Sequence, residues 1–348
     1  MWKEPSTFFR RPPMPKPNEQ PVAAAVSPTA VDETIAQLKD AGYYDSDRRI
    51  RQAEDGAIEL PVTEQPPFIE ETCMRHQTNP PRRVRTLQDR LRERGLSSDE
   101  CARAPSSWAV IGSIVVASFA DGITESVVGD ALLDLHGNAH TVLEVTRITD
   151  SMRQPETRVI AGRGETHTIH SEGGTVYELD LDEVMFSPGN QAERQLMGTT
   201  VEPGERVYDM FAGIGYFTLP MARAGAQVVA VDRNPTAITY LRRNRRHNDV
   251  ESRVEVRQGD CRSHCPTVDR VMMGHFDAPD YLDVAIKAVE PEGTIHVHSI
   301  APTDDPWSPL EVTLDTTIED VDWSVSDRRI IKSHSPGLEH VVCDVQVG

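Results

Sequence analysis

Val207-Tyr208-Asp209-Met210-Phe211-Ala212-Gly213-Ile214-Gly215-Tyr216-Phe217-Thr218-Leu219-Pro220 is the stretch that decides the fold. A hydrophobic strand ends in an acidic residue, and a tight Ala-Gly-Ile-Gly turn opens an amphipathic helix. A second strand, Gln227 to Val231, ends in Asp232, seventeen residues after Gly215. Such an arrangement holds a nucleoside on a Rossmann-like sheet. Glycines let the backbone approach the ligand, and a carboxylate at the end of strand two accepts from the ribose hydroxyls. The third glycine of the dinucleotide fingerprint is missing, so a pyrophosphate is not the expected ligand. S-adenosylmethionine, which has a ribose and no phosphate, fits better.

Outward from this turn, strands and helices alternate. Strands are expected at Arg206 to Met210, Gln227 to Val231, Val254 to Gln258, Val268 to Met273 and Gly293 to His298. Helices are expected at Tyr216 to Ala224, Pro235 to His247 and Asp280 to Val289. Asn234-Pro235 supplies a cap and a first-turn proline. The spacing predicts an α/β fold with a doubly wound, mostly parallel sheet. Arg328 to Val347 reads as two β segments around Ser335-Pro336-Gly337, as in the closing hairpin of a class I methyltransferase fold. After strand three, Gly259-Asp260-Cys261-Arg262 places a carboxylate where an adenine amino group can be met. Ligands of such sheets sit at the carboxyl ends of the strands.

Ahead of this domain lies Phe186-Ser187-Pro188-Gly189-Asn190-Gln191-Ala192-Glu193-Arg194. Ser187 or Asn190 is expected to cap a helix running through Arg194, whose guanidinium can aim at the cofactor's methionine carboxylate. Further upstream, residues 1–28 are Pro-rich and expected to be a disordered tail. Residues 29–105 read as a small module, with a helix at Val31 to Ala41 and a strand at Ala57 to Val62, followed by an Arg-rich linker. Its arginines, Arg82 through Arg94, face either solvent or RNA. Residues 106–185 read as an α+β module with β runs at Ala109 to Phe119, His140 to Val145, Arg158 to Ile160, Thr166 to His170 and Thr175 to Leu179. Residues 186–348 form the cofactor-binding domain.

Composition narrows the setting. Lys+Arg is 36 against Asp+Glu 55, a net charge of −19. Only 5 of the basic residues are Lys, a balance like that of extreme halophiles, whose acidic surfaces keep proteins in solution. In that setting only local Arg clusters speak to nucleic-acid binding. The five cysteines are scattered, and Arg10-Arg11 is followed by prolines rather than an apolar core. The expectation is a cytoplasmic protein without disulfides, signal peptide or membrane span. Cys261, His264 and Cys265 lack the two spaced ligand pairs of a zinc site, so no metal is expected.

Leu179-Asp180 through Arg194, Tyr208 to Pro220, Asp232 to Pro235 and Gly259 to Arg262 resemble the archaeal and eukaryotic family that modifies guanosine 37 of phenylalanine tRNA. One branch is a guanine-N1 methyltransferase. The other, in the wybutosine pathway, transfers the 3-amino-3-carboxypropyl group of S-adenosylmethionine to the tricyclic base. The methyltransferase branch has Ser-Pro-Arg where this chain has Ser187-Pro188-Gly189, and Gly-Pro or Gly-Val-Gly-Pro where it has Gly215 to Pro220. That branch also has Asn-Leu-Pro after strand four, where this chain has Met273-Gly274-His275-Phe276. At all three places, and in the histidines of Gly293 to His298, the chain is similar to the aminocarboxypropyltransferase branch. The resemblance implies S-adenosylmethionine as co-substrate, the tRNA(Phe) anticodon loop as partner, and a monomer. Ser187 and Arg194 would hold the methionine end, Asp232 the ribose, and Asp260 with the Cys261 backbone the adenine. Asp209, Phe211, Ala212, Gly213, Gly215 and Arg233 complete the expected cofactor contacts. His275, His296 and His298 are candidates for a general base that takes the ring proton. Two other readings stay open: a methyltransferase of the same family, and a tRNA-binding protein that keeps the cofactor without catalysis.

Overall fold

A computed structural model describes residues 21–78, 80, 86–149, 152–318 and 321–348. The chain divides into two compact units, 1–90 and 91–348. Among the described residues no helix is long and apolar enough to cross a membrane.

In the first unit, strands β1 (Val22–Val26), β2 (Arg51–Gln52), β3 (Ile58–Val62) and β4 (Met74–His76) form an antiparallel sheet in the order β2-β3-β1-β4. Helix α1 (Val31–Asp40) buries Leu38 against Ala24, Leu60 and Val62. Helix α1 and strand β3 fall where the sequence predicts them. The disordered tail expected over 1–28 needs correction: residues 1–20 lie outside the described residues, but Val22–Val26 is an inner strand. Its Val-Ala-Ala-Ala-Val run fully buries Ala23 and Ala24, and paired strands on both sides satisfy its backbone. The flanking prolines, Pro21 and Pro28, hide this strand in a composition-based reading.

The two units part within helix α2 (Leu87–Glu93). Of the Arg-rich segment, residues 81–85 lie outside the described residues. Helix α3 (Ser98–Arg103) follows, capped by the reciprocal Ser97–Glu100 pair. Next comes a four-stranded sheet, β5 (Trp108–Ile111), β6 (Ile114–Ala117), β7 (Thr141–Thr149) and β8 (Gln154–Gly162), in that order. Helix α4 (Glu125–Leu135) covers it. The run read as one strand from Ala109 to Phe119 is instead a hairpin. Gly112, at φ +56, turns the chain where a Cβ would lie 2.1 Å from Thr168 Oγ1, so only glycine fits. Strands β9 (His167–Glu172) and β10 (Thr175–Asp180) form a second hairpin.

Helix α5 (Gln191–Thr200) leads into the large sheet. Its strands are β11 (Arg206–Asp209), β12 (Gln227–Asp232), β13 (Val254–Gln258), β14 (Val268–Met273), β15 (Val289–Pro302), β16 (Trp323–Ser335) and β17 (Leu338–Val347). Their order is β13-β12-β11-β14-β15-β17-β16, with the first five parallel and β17 antiparallel to both neighbours. This is the expected doubly wound sheet with its closing hairpin. Helices α6 (Thr218–Arg223) and α7 (Pro235–His247) cover one face, α8 (Leu282–Ala288) and α9 (Ser308–Thr317) the other. One continuous core runs from Ile111, Leu143 and Tyr177 through Phe186 and Met197 to Phe217, Leu219 and Met272. The segment read as 106–185 and the large sheet therefore belong to a single compact unit.

Candidate functional site

The opening turn is built around two buried carboxylates. Asp209, with no exposed surface at the end of β11, accepts from Thr218 Oγ1 at 2.6 Å and from the Phe211 N–H at 3.4 Å. Burial pushes its carboxyl up to about 7. Asp232, at the end of β12, accepts from the Gly213 N–H at 2.7 Å and from the Asn234 N–H at 2.8 Å. Its pKa is also raised by burial, against those backbone donors. One oxygen thus grips the glycine turn and the other starts α7, and each keeps a lone pair for a ligand. Gly215 has φ +105, and a Cβ there would meet Leu219 Cγ at 2.7 Å. Gly215 therefore serves close packing of the helix on the sheet.

A cleft of about 600 Å³ opens at the carboxyl ends of the parallel strands. Ser187, Arg194, Phe211, Gly213, Asp232, Arg233 and Cys261 all line it, so the structure gathers seven of the expected contacts from segments far apart in sequence. Asp209, Ala212, Gly215 and Asp260 do not line it. Asp209 is turned inward to Thr218, and Ala212 closes the turn through its backbone. Asp260 lies on the Arg262 guanidinium, at 2.9 Å from Nε and 2.7 Å from Nη2, which lowers its pKa to about 2. Cys261 carries a thiol pushed up to about 11 by burial, and its carbonyl accepts from Tyr208 Oη at 2.7 Å. Phe211 stacks on the His275 ring, centroids 5.3 Å apart.

At the opposite end, the expected helix cap at Ser187 or Asn190 is not made. A short 3-10 turn, Pro188–Asn190, precedes α5, and neither side chain bonds a helix N–H. Ser187 Oγ instead accepts from Lys332 Nζ at 2.7 Å and donates to Asn190 Oδ1 at 3.4 Å. Arg194 is only 2% exposed. Its Nε and Nη2 donate to the two oxygens of Glu172, and its Nη1 donates to the Ser187 carbonyl at 2.9 Å. The Arg194 guanidinium also lies over the Phe186 ring at 4.9 Å. Arg194 is thus charge-matched within the protein, and its remaining N–H groups are what it can offer a ligand.

Of the three histidines read as base candidates, the structure brings His275 alone to the cleft. Its Nδ1 accepts from the Asp277 N–H at 3.1 Å, so in the neutral ring the proton sits on Nε2. Burial and Arg153 lower its pKa, and with Nδ1 engaged it is the Nε2–H that remains free to donate. His296 and His298 need correction, because both are buried within the sheet. His296 lies between Asp344 and Arg270, at 2.6 Å from each, and His298 Nδ1 is 2.9 Å from His340 Nε2. Strand alternation puts both rings on one face of β15, against β17 rather than in the cleft.

Several lining residues were not singled out in the sequence: Arg153, Tyr216, Phe276, Tyr281, Lys332 and His334. Lys332 and His334 come from β16, which the sequence marked only as a fold element. The scarcity of lysine was the one available signal.

The family model described as TRM5/TYW2 methyltransferase domain matches residues 168–322, and the one described as TYW2 N-terminal domain matches residues 87–166. The tRNA(Phe) (4-demethylwyosine(37)-C(7)) aminocarboxypropyltransferase of Pyrococcus horikoshii is 30% identical over 276 residues, 76% of this chain and 99% of that protein. The tRNA (guanine(37)-N(1))-methyltransferase Trm5b of Pyrococcus abyssi is 31% identical over 249 residues, 70% of this chain and 75% of its own. Among solved structures, Trm5b from Pyrococcus abyssi superposes with a TM-score of 0.78 at 27% identity, covering 94% of this chain and 99% of that one. The structure of P. horikoshii TYW2 in complex with MeSAdo gives a TM-score of 0.66 at 28% identity, covering 76% and 99%.

Proposed function

The chain belongs to the TRM5/TYW2 methyltransferase family, and we propose that it is the family's aminocarboxypropyltransferase. It transfers the 3-amino-3-carboxypropyl group of S-adenosylmethionine to 4-demethylwyosine, the tricyclic base at position 37 of tRNA(Phe), and releases methylthioadenosine. The observation that carries this reading is the TYW2 N-terminal domain match over residues 87–166, directly ahead of the catalytic domain. The cleft supports it. Where the methyltransferase branch has Asn-Leu-Pro, Gly274, His275 and Phe276 line the wall, so this segment itself supplies no side-chain amide for a purine edge.

The chemistry asks mainly for orientation. Three carbons are bonded to the sulfonium sulfur, and the one in line with the nucleophile reacts. The ring carbon of the base attacks the γ-carbon of the methionine arm. The carbon–sulfur bond breaks with its electron pair going to sulfur, and the ring proton then leaves to restore aromaticity. In this reading Asp232 holds the ribose while Gly213 lets the backbone close on it. Cys261 faces the adenine, while Asp260, held by Arg262, stays outside the cleft lining. Ser187 and Arg194 shape the seat of the methionine arm and thereby choose the reacting carbon. The protein acts as a cytoplasmic monomer on the anticodon loop.

The guanine-N1 methyltransferase reading has one observation of its own: the Trm5b structure covers 94% of the chain, the TYW2 structure 76%. Mass spectrometry of tRNA(Phe) carrying 4-demethylwyosine, after incubation with the protein and S-adenosylmethionine, decides the matter. A gain of the aminocarboxypropyl mass is expected. A methyl gain on unmodified guanosine 37 would establish the methyltransferase, and no gain on either tRNA would leave a binding protein.

A further inference from the structure

Among the described residues, two cations in the wall of the cleft beside Ser187 form no ion pair with a carboxylate. Lys332, on β16, donates from Nζ to Ser187 Oγ at 2.7 Å, and among the described residues no carboxylate pairs with it. Arg153 faces the Phe276 ring at 5.3 Å and Met185 Sδ at 3.2 Å, and its buried Nε has no hydrogen-bond partner. The other arginines of the cleft are matched: Arg194 by Glu172, and Arg233 by Asp260 at 3.6 Å. Unmatched positive charge, half-buried, is unusual in a chain of net charge −19.

Gly189 explains how Lys332 reaches this position. A Cβ on Gly189 would stand 2.9 Å from Lys332 Cδ and 3.3 Å from Nζ. Its φ is not in the left-handed region, so the backbone does not require glycine here. Its missing side chain makes room for the lysine.

We propose that Lys332, admitted by Gly189 and steadied by Ser187, is the direct partner of the α-carboxylate of the methionine arm. This rests on the proposed use of S-adenosylmethionine. Arg194, tied to Glu172, then acts on the arm as a positioning residue by holding the Ser187 carbonyl. The cation enters from the closing hairpin rather than from the segment 187–194, so it fixes the arm from the β16 side of the cleft. Burial beside Arg194 and Arg153 lowers the Lys332 pKa, which is the strain a bound carboxylate would relieve.

The test measures binding of S-adenosylmethionine, methylthioadenosine and decarboxylated S-adenosylmethionine to the full-length protein and to Lys332→Met, Lys332→Gln and Gly189→Ala. The two shortened ligands lack the carboxylate. The lysine variants should lose about tenfold or more in affinity for S-adenosylmethionine and keep that for the two shortened ligands. Gly189→Ala, by displacing the lysine, should give the same pattern more weakly. Equal losses for all three ligands would make Lys332 a structural residue and overturn the proposal. So would an unchanged affinity for S-adenosylmethionine, including the case in which only tRNA affinity falls because the cation serves a backbone phosphate. Wild-type protein that binds S-adenosylmethionine but transfers no aminocarboxypropyl group would instead defeat the proposed function, leaving this assignment standing.

Discussion

Asp209 shows how one residue serves two ends. It closes the strand that begins the glycine turn, yet its carboxyl faces Thr218 and the sheet interior instead of the cleft. With a folded pKa of about 7 against an ordinary 3.8, the folded protein binds more protons than the unfolded chain between those values. Its contribution is therefore full at acid pH and is lost as pH rises through the window. Asp209→Asn keeps partners for Thr218 and Phe211 without a charge to bury. Relative to wild type, the variant should gain stability between about pH 5 and about pH 8, read from urea midpoints at the two pH values. A midpoint difference that does not change with pH would show that Asp209 is not the titrating group. Asp232 differs because its two oxygens hold backbone N–H groups of two separate segments and still face the cleft. The sequence could rank the two acids by strand position but could not tell which one turns inward.

Among the elements, the closing hairpin departs most from its sequence reading. β15, β17 and β16 were expected as scaffold, with the β15 histidines as site candidates. In the structure β16 delivers Lys332 and His334 to the cleft, while His298 and His340 pair across β15 and β17 beneath Phe276 and Phe217. The two rings share one hydrogen bond, and burial lowers both pKa values, that of His340 to about 4. An unfolded histidine titrates near 6.5, so the unfolded chain binds more protons between about pH 6.5 and about pH 4. This pair is fully stabilising above that window and loses its contribution as pH falls through it. A His298→Leu/His340→Leu double variant should show a smaller drop in denaturation midpoint between about pH 7 and about pH 4.5 than wild type. A drop as large as wild type's would assign the acid sensitivity to carboxylates elsewhere.

At the scale of the whole molecule, the net charge of −19 sets the response to salt. The exposed Arg–carboxylate pairs each contribute roughly 0–1 kcal/mol, too little to offset self-repulsion of that size at low ionic strength. The screening length falls from about 10 Å at 0.1 M to about 3 Å at 1 M. The melting temperature should therefore rise between about 0.2 M and about 2 M potassium chloride. A melting temperature that stays flat or falls would mean that local ion pairs outweigh the global charge. By itself the sequence determined the doubly wound sheet and the glycine turn with an acidic residue at the end of each flanking strand, because hydrophobic periodicity and glycine turns are local signals. It missed Val22–Val26, whose apolar run is masked by prolines, and the turn at Gly112, whose need for glycine comes from Thr168, 56 residues away along the chain. Tertiary structure alone decided that Arg194 is spent on Glu172, that His296 and His298 face β17, and that Lys332 occupies the space Gly189 leaves. Each of these depends on which face of one element meets another, and side-chain charge is matched or left unmatched only once those faces have met.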